Sequence, residues 1–195
     1  GREDSRDGQA SLREAIVSAL AAQEKPEVID WLLTRAWKEA SSAEKASRAR
    51  LCTLCAVAAL KKMEAARPAL EGLLPAEDPP VVEAALASLK SIGAEPSRDA
   101  IEKLAKSSQA RPRPRRMAAE VLGSFDPDAA VKTLLELSDR TAWEARSEAA
   151  LGLATFAERD AAFFRTLKLL EDGNREVRAS AFEALRSFRR KEAVE

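Results

Sequence analysis

A pattern of four apolar positions recurs along this chain every 31 to 33 residues. In its last copy the spacing is four, four and three residues, which places Val177, Ala181, Leu185 and Phe188 on one stripe of an α-helix. A period of this length is typical of stacked supersecondary units, in which no unit can bury its apolar face alone. Further copies begin at Val81, Pro114 and Ala145, with fainter ones at Ala49 and Leu12.

Local signals place a shorter helix before each of these stripes. Asp78 followed by Pro79, and Asp126 followed by Pro127, are helix starts, while Gly93 is a helix stop. Aromatic residues are only 5% of the chain and apolar residues 46%, a balance that favours closely packed helices over sheets. The predicted helices cover roughly 11–22, 26–40, 43–63, 66–74, 79–92, 97–106, a helix ending at 125, 128–139, 142–156, 160–171 and 175–190.

Short connections between these helices predict antiparallel neighbours. We therefore predict an all-α fold, a right-handed α-solenoid of about five helix pairs that begin near residues 26, 66, 97, 128 and 160. An N-terminal half-repeat precedes the pairs. Residues 1–10 are predicted to be a disordered lead, and residues 11–195 a single repeat domain.

The repeats resemble HEAT repeats, in particular the bacterial HEAT-like type also found in phycobilisome lyases. The family pattern is an Asp after the first helix, then Val-Arg, an Ala, and Ala-Leu-Gly near the end of the second helix. Val82 replaces the Arg in one repeat and Pro114 the Val in another. The resemblance implies a ladder of hydrogen bonds between the Asp and Arg residues of neighbouring turns, which gives Arg178, Arg146, Arg115, Arg50 and Arg13 a structural role. The matches are Asp172, Val177, Arg178, Ala181, Ala184 and Leu185; Asp139, Arg146, Ala149 and Leu153; and Arg115, Ala118, Leu122 and Gly123.

Few residues in the chain suit catalysis. The sequence has no His and no Tyr, so it offers no imidazole base or imidazole metal ligand. Cys52 and Cys55 form a CxxC inside an Ala-rich helix, without a second ligand pair, and small buried thiols pack much like Ala. We predict that the chain is not an enzyme and has no catalytic residue, cofactor or metal site.

The sharpest local feature is an arginine-rich stretch broken by prolines. Arg111, Arg113, Arg115 and Arg116 fall within six positions, and we interpret the stretch as a loop. Such a loop could clamp an acidic peptide or a phosphate, because guanidinium groups bind planar oxyanions in two places. The alternative, which we favour, is a solvated connector that keeps Arg115 in the ladder.

The family geometry implies that the longer helices line the inner side of the array. The positions expected there carry both charges, with small and apolar residues between them, so they form no phosphate track and suit a helix or peptide better than DNA. Trp143 is either an exposed anchor or buried against the adjoining helix. The candidate contact residues on this side are Lys90, Glu83, Arg116, Glu120, Trp143, Leu151, Glu183, Arg186 and Arg190, and at the edge Arg111 and Arg113.

Phe182 occupies the position that Leu86 and Leu54 hold in earlier repeats, where the next unit should pack. We therefore expect either further repeats after residue 195 or contact between Phe182 and another chain. The leading function is a scaffold that binds another protein, and the alternative is binding of nucleic acid or another anion at Arg111–Arg116. A HEAT-like lyase or glycosylase is the third. Equal numbers of acidic and basic residues argue against nucleic acid, no apolar run is long enough for membrane insertion, and two cysteines fit a cytoplasmic location.

Overall fold

The computed structural model describes residue 52, residues 55–59 and residues 62–188. The chain divides into two compact units, residues 1–93 and 94–195, and each is described by itself. The described residues contain helices and no strand, so the predicted all-α class is confirmed. None of these helices has the length and apolar character needed to cross a bilayer.

In the first unit, residues 55–59 are helical and a 3-10 turn at Glu64–Ala66 leads into the pair α1 (Arg67–Leu73) and α2 (Pro79–Ile92). Pro79 begins α2 as predicted. Asp78 has the extended backbone of an N-cap residue, but its carboxylate makes no capping hydrogen bond. Gly93 ends α2 with a φ of 95°, a conformation that favours glycine, and its carbonyl accepts a 2.7 Å bond from Arg67 Nη1.

The described residues of the second unit, 94–188, form three helix pairs. A 3-10 turn at Glu95–Ser97 precedes the first pair, and another at Ala154–Phe156 extends the second helix of the middle pair. Asp126 caps its helix as predicted, because Oδ1 accepts a 3.0 Å bond from Ala129 N. The helices are α3 (Arg98–Lys106), α4 (Pro112–Leu122), α5 (Pro127–Ser138), α6 (Trp143–Leu153), α7 (Asp160–Leu169) and α8 (Arg175–Leu185).

The order of packing in this unit is that of an α-solenoid. Each second helix packs against its own first helix, and α4, α6 and α8 pack against one another in sequence. The predicted apolar stripes form the buried seam: Ala145, Ala149 and Leu153 are at most 2% exposed, and Val177 and Ala181 are fully buried. Leu185, at the end of its stripe, is half-buried.

Four of the five predicted pairs are therefore present, those beginning near residues 66, 97, 128 and 160. The disordered lead, the half-repeat and most of the first pair lie outside the described residues, as do Arg13, Arg50, Leu54 and Arg190. That residues 11–195 form one domain stays a prediction.

Candidate protein-interaction surface

The turn between α7 and α8 is held by side chains of the predicted ladder. Asp172 Oδ1 accepts a 2.8 Å bond from Asn174 N, and Asn174 Oδ1 accepts a 2.8 Å bond from Glu176 N, which caps α8. Arg178 Nη1 donates to the carbonyls of Asp172 and Gly173 at 2.8 and 3.1 Å. The arginine of the second helix thus fixes the turn that precedes it.

Arg146 repeats this arrangement one pair earlier and adds a bond to the next pair. Its Nη1 donates to the carbonyls of Arg140 and Thr141 at 3.1 and 2.6 Å. Its Nε and Nη2 donate to Asp172 at 2.7 and 2.9 Å, which forms the predicted bond between neighbouring turns. The hydrogen bond from Arg146 holds the pKa of the Asp172 carboxyl below its usual value.

The ladder does not continue through Arg115, contrary to the prediction. Arg115 is only 6% exposed, and its Nε donates to the carbonyl of Ala105 at 3.2 Å. Burial, and then the nearby charge of Arg140, lower the pKa of this guanidinium. Asp139, which stands where Asp172 stands in the next pair, is instead bound by Arg165 at 2.6 and 3.1 Å.

The arginine-rich stretch is a helix start, so its interpretation as a loop was wrong. Arg111 is the N-cap residue and Pro112 the first residue of α4. Arg116 Nε donates to Glu148 at 2.6 Å, and its Nη1 pairs with Glu120. Arg111 and Arg113 are exposed, whereas Arg115 is buried and Arg116 is half-buried between acidic partners. The four arginines therefore do not form one anion clamp.

Two further charges predicted to face inward in this unit, Glu183 and Arg186, pair with each other at the end of α8. Glu183 accepts a 3.1 Å bond from Arg186, the C-cap residue of α8, and Leu151 on α6 is half-buried. Glu83 is half-buried and Lys90 exposed on α2 of the first unit. The second unit thus brings together Arg116, Glu120 and Glu148, and separately Glu183 and Arg186.

Large apolar side chains are exposed at four of the described positions, and three of these lie on the last helix pair. Phe182 on α8 is 67% exposed, while Phe164 and Leu167 on α7 are 62% and 38% exposed. Trp143, at the start of α6, is 40% exposed, so it is not buried against the adjoining helix. Among the described pairs, α7–α8 therefore exposes the most large apolar side chains.

The position of Phe182 is buried in every earlier described pair. Leu86, Ala119 and Ala150 occupy it in α2, α4 and α6, and each is fully buried. Ala150 packs in a cluster with Leu169, Val177 and Ala181 of the next pair. Phe182 has no such cover among the described residues.

Phe164 and Leu167 were not predicted from the sequence as contact residues. A signal for Phe164 was present, because 32 residues earlier the same position holds Lys132, which is exposed on α5. Packing between repeats does not require an aromatic residue at a position that is polar and exposed in the preceding repeat, so its presence is a signal for an interaction site.

Cys55 packs as predicted. Its side chain is fully buried, and burial raises the pKa of its thiol to about 12. Cys52 is half-buried, and its Sγ donates to the carbonyl of Pro80 at 3.6 Å. Within residue 52, residues 55–59 and residues 62–188, no cluster of Cys, Asp and Glu has the composition of a metal site.

Comparison with known families supports the repeat assignment. The family model for HEAT repeats matches residues 107–185, from the turn before α4 to the end of α8. This part of the chain is similar to HEAT repeats. No curated protein matches the sequence. HEAT repeats are commonly protein-interaction scaffolds, and the HEAT repeat family is generally non-catalytic. The likeness to the phycobilisome lyase type stays a prediction.

Proposed function

We propose that this chain is a non-enzymatic module that binds another protein, and that the last helix pair, α7–α8, carries the contact. The observation that supports this most directly is Phe182, which is 67% exposed at a position where α4 and α6 bury an alanine completely. A large aromatic ring that the described residues leave exposed is the kind of residue that anchors protein interfaces.

Other exposed residues of the same helix pair are of the types found in such interfaces. Glu183 follows Phe182, and Arg186 lies one helical turn further along α8, where the two charges pair with each other. Phe164 and Leu167 add apolar area on α7 of the same pair. An apolar centre with a charged rim is the usual composition of a protein–protein interface.

The same geometry weighs against the alternative of nucleic-acid binding. Arg115 is buried and its Nε donates to the carbonyl of Ala105, and Arg116 is held by Glu120 and Glu148. That leaves Arg111 and Arg113 exposed in the segment, in a chain with 32 basic and 32 acidic residues. Two cations give little of the counterion release that drives phosphate binding.

A cytoplasmic location and a bacterial source belong to the same proposal. Both cysteines are free thiols, which fits a reducing compartment. The bacterial source rests on the resemblance of the repeats to the bacterial HEAT-like type.

The proposal is tested with the full chain as bait in a cross-linked pull-down. Wild type is compared with Phe182→Ser and with Trp143→Ser, a matched control that removes an exposed aromatic from a different helix pair. We expect a defined partner to be lost with Phe182→Ser and kept with Trp143→Ser. Equal recovery by all three chains would refute the proposal. Binding to mixed-sequence DNA that weakens steeply with salt would favour the alternative.

A further inference from the structure

Arg178 makes the same bonds to its own turn as Arg146, but among the described residues it lacks the bond to a following pair. Both Arg146 and Arg178 use Nη1 to hold two carbonyls of their own turn, at positions five and six residues before the arginine. Arg146 directs its Nε and Nη2 to the carboxylate of Asp172 in the next pair. Arg178 is exposed, and among the described residues its side chain donates only through Nη1, so its Nε and Nη2 have no acceptor there.

Phe182, four residues further along α8, constrains the shape of the surface that would pack against it. Ala150, its counterpart in α6, is fully buried in a cluster with Leu169, Val177 and Ala181. A phenylalanine at this point needs more room than an alanine does, because a close-packed interface cannot absorb the added ring without strain. The surface that covers Phe182 must therefore be hollower than the surface that covers Ala150.

These two observations describe the surface that the occupant must present: a carboxylate for Arg178 and space for Phe182. We propose that the open side of α7–α8 binds a helical hairpin of a partner protein, with a carboxylate at the hairpin turn for Arg178 and small side chains opposite Phe182. The inference rests on the proposed function and specifies its partner. It extends the α6–α8 interface by one step, in which the partner takes the place of a further helix pair, and it uses the same ion-pair chemistry as Arg146 with Asp172.

A fusion protein tests the geometry without knowledge of the natural partner. The probe is a copy of residues 157–188 joined directly after Phe188 in place of residues 189–195. Its aspartate then follows Arg178 by 26 residues, the separation between Arg146 and Asp172. Covalent linkage gives a high effective concentration, so docking does not depend on affinity in dilute solution. In a second fusion, the valine of the copy that corresponds to Val177 is changed to alanine to make the hollow.

The first readout is a double-mutant cycle on the unfolding equilibrium of the fusion, with Arg178→Gln and with the copied aspartate changed to asparagine. We expect the two changes to be coupled by about tenfold in the equilibrium constant, as for a partly buried charge-assisted pair. Arg175→Gln is the control, because Arg175 is exposed on the first turn of the same helix. An absence of coupling would overturn the proposal.

The second readout is the sign of the valine-to-alanine change in the copy. Loss of two methyl groups from a filled core destabilises a protein, whereas here it should raise resistance to unfolding, because it makes room for Phe182. In a fusion with Phe182→Ala the same change should instead be destabilising. A destabilising effect in both backgrounds would contradict the hollow surface.

Sedimentation of the unmodified chain checks the other occupant. A dimer that dissociates with Phe182→Ser would identify a second copy of the chain as the occupant and would overturn the assignment to a partner protein. The pull-down of the proposed function does not involve the fusion. It can therefore succeed while the cycle shows no coupling, which would reject the hairpin and keep protein binding at α7–α8.

Discussion

The bond between Arg146 and Asp172 gives the sharpest stability prediction. Asp172→Asn removes the charge and leaves one acceptor oxygen where the carboxylate receives two bonds from Arg146, at 2.7 and 2.9 Å. The two side chains are 20% and 11% exposed, so solvent screens the pair only in part. Hydrogen bonds to charged groups contribute about 1.5–3 kcal/mol, and we expect a loss of about 2 kcal/mol.

Hydrogen exchange of α6 and α8 amides is the suitable assay, because it reports the opening of this part of the chain alone. A loss of about 2 kcal/mol corresponds to roughly 30-fold faster exchange. Glu171→Gln is the matched control, since Glu171 is exposed beside Asp172 and the change removes the same charge. Asp139→Asn should cost less than ~1 kcal/mol, because the Asp139 side chain is 63% exposed.

The effect of Asp172→Asn should also depend on pH. The bond from Arg146 lowers the pKa of Asp172 in the folded chain relative to the unfolded value of about 3.9. The stabilisation is therefore complete above that unfolded pKa and is lost as the pH falls through the folded pKa. The difference between wild type and Asp172→Asn should be constant from about pH 5 to 7 and shrink below about pH 4. The reasoning fails if Asp139→Asn accelerates exchange as much as Asp172→Asn, or if the difference persists at the lowest pH.

Two further predictions concern the packing of the helices. Gly123→Ala places a Cβ 2.3 Å from the ring of Phe156 and should lower the free energy of unfolding, measured by chemical denaturation, by about 1–3 kcal/mol. Gly72→Ala is the control, because a Cβ there has nothing within 4 Å, and it should not destabilise the chain. Equal effects of the two changes would contradict the packing argument. Cys55 has a pKa of about 12, so only about one molecule in 10⁴ should carry a thiolate there at pH 8. We expect Cys55 to resist a thiol reagent until the chain unfolds, while half-buried Cys52 reacts first. Equal reaction rates of the two cysteines in the folded chain would show that Cys55 is accessible.

The helical core was predictable because its signal is local. The stripe that begins at Val81 continues through Ala85, Leu89 and Ile92, and all four residues are at most 7% exposed. The 3.6-residue period sets which side chains share a face, whatever the helix then packs against. The same period located Phe182, since its counterparts in earlier pairs are buried.

The arginine-rich stretch was misassigned because proline interrupts a helix when it lies inside one but is favoured in the first turn. Pro112 and Pro114 were interpreted as breaks, but both lie in the first turn of α4, where an N–H has no partner four residues back. The first such bond of the helix joins Arg115 N to the carbonyl of Arg111 at 3.3 Å. Once the segment is helical, Arg115 and Arg116 point to different neighbours, and the anion clamp is lost.

The break in the ladder follows from the position of the aspartate after its helix. Asp139 is the first residue after α5, whereas Asp172 is the third residue after α7. Arg115 and Asp139 are consequently 24 residues apart, against 26 for Arg146 and Asp172. We attribute the missing bond to this difference of two residues, which shifts one turn along its neighbour. Asp139 binds Arg165 instead, which lies 26 residues further along the chain. The partner of an arginine in the ladder therefore depends on where the next turn places its carboxylate relative to that arginine. A hairpin that binds Arg178 must place its carboxylate relative to Arg178 as Asp172 is placed relative to Arg146.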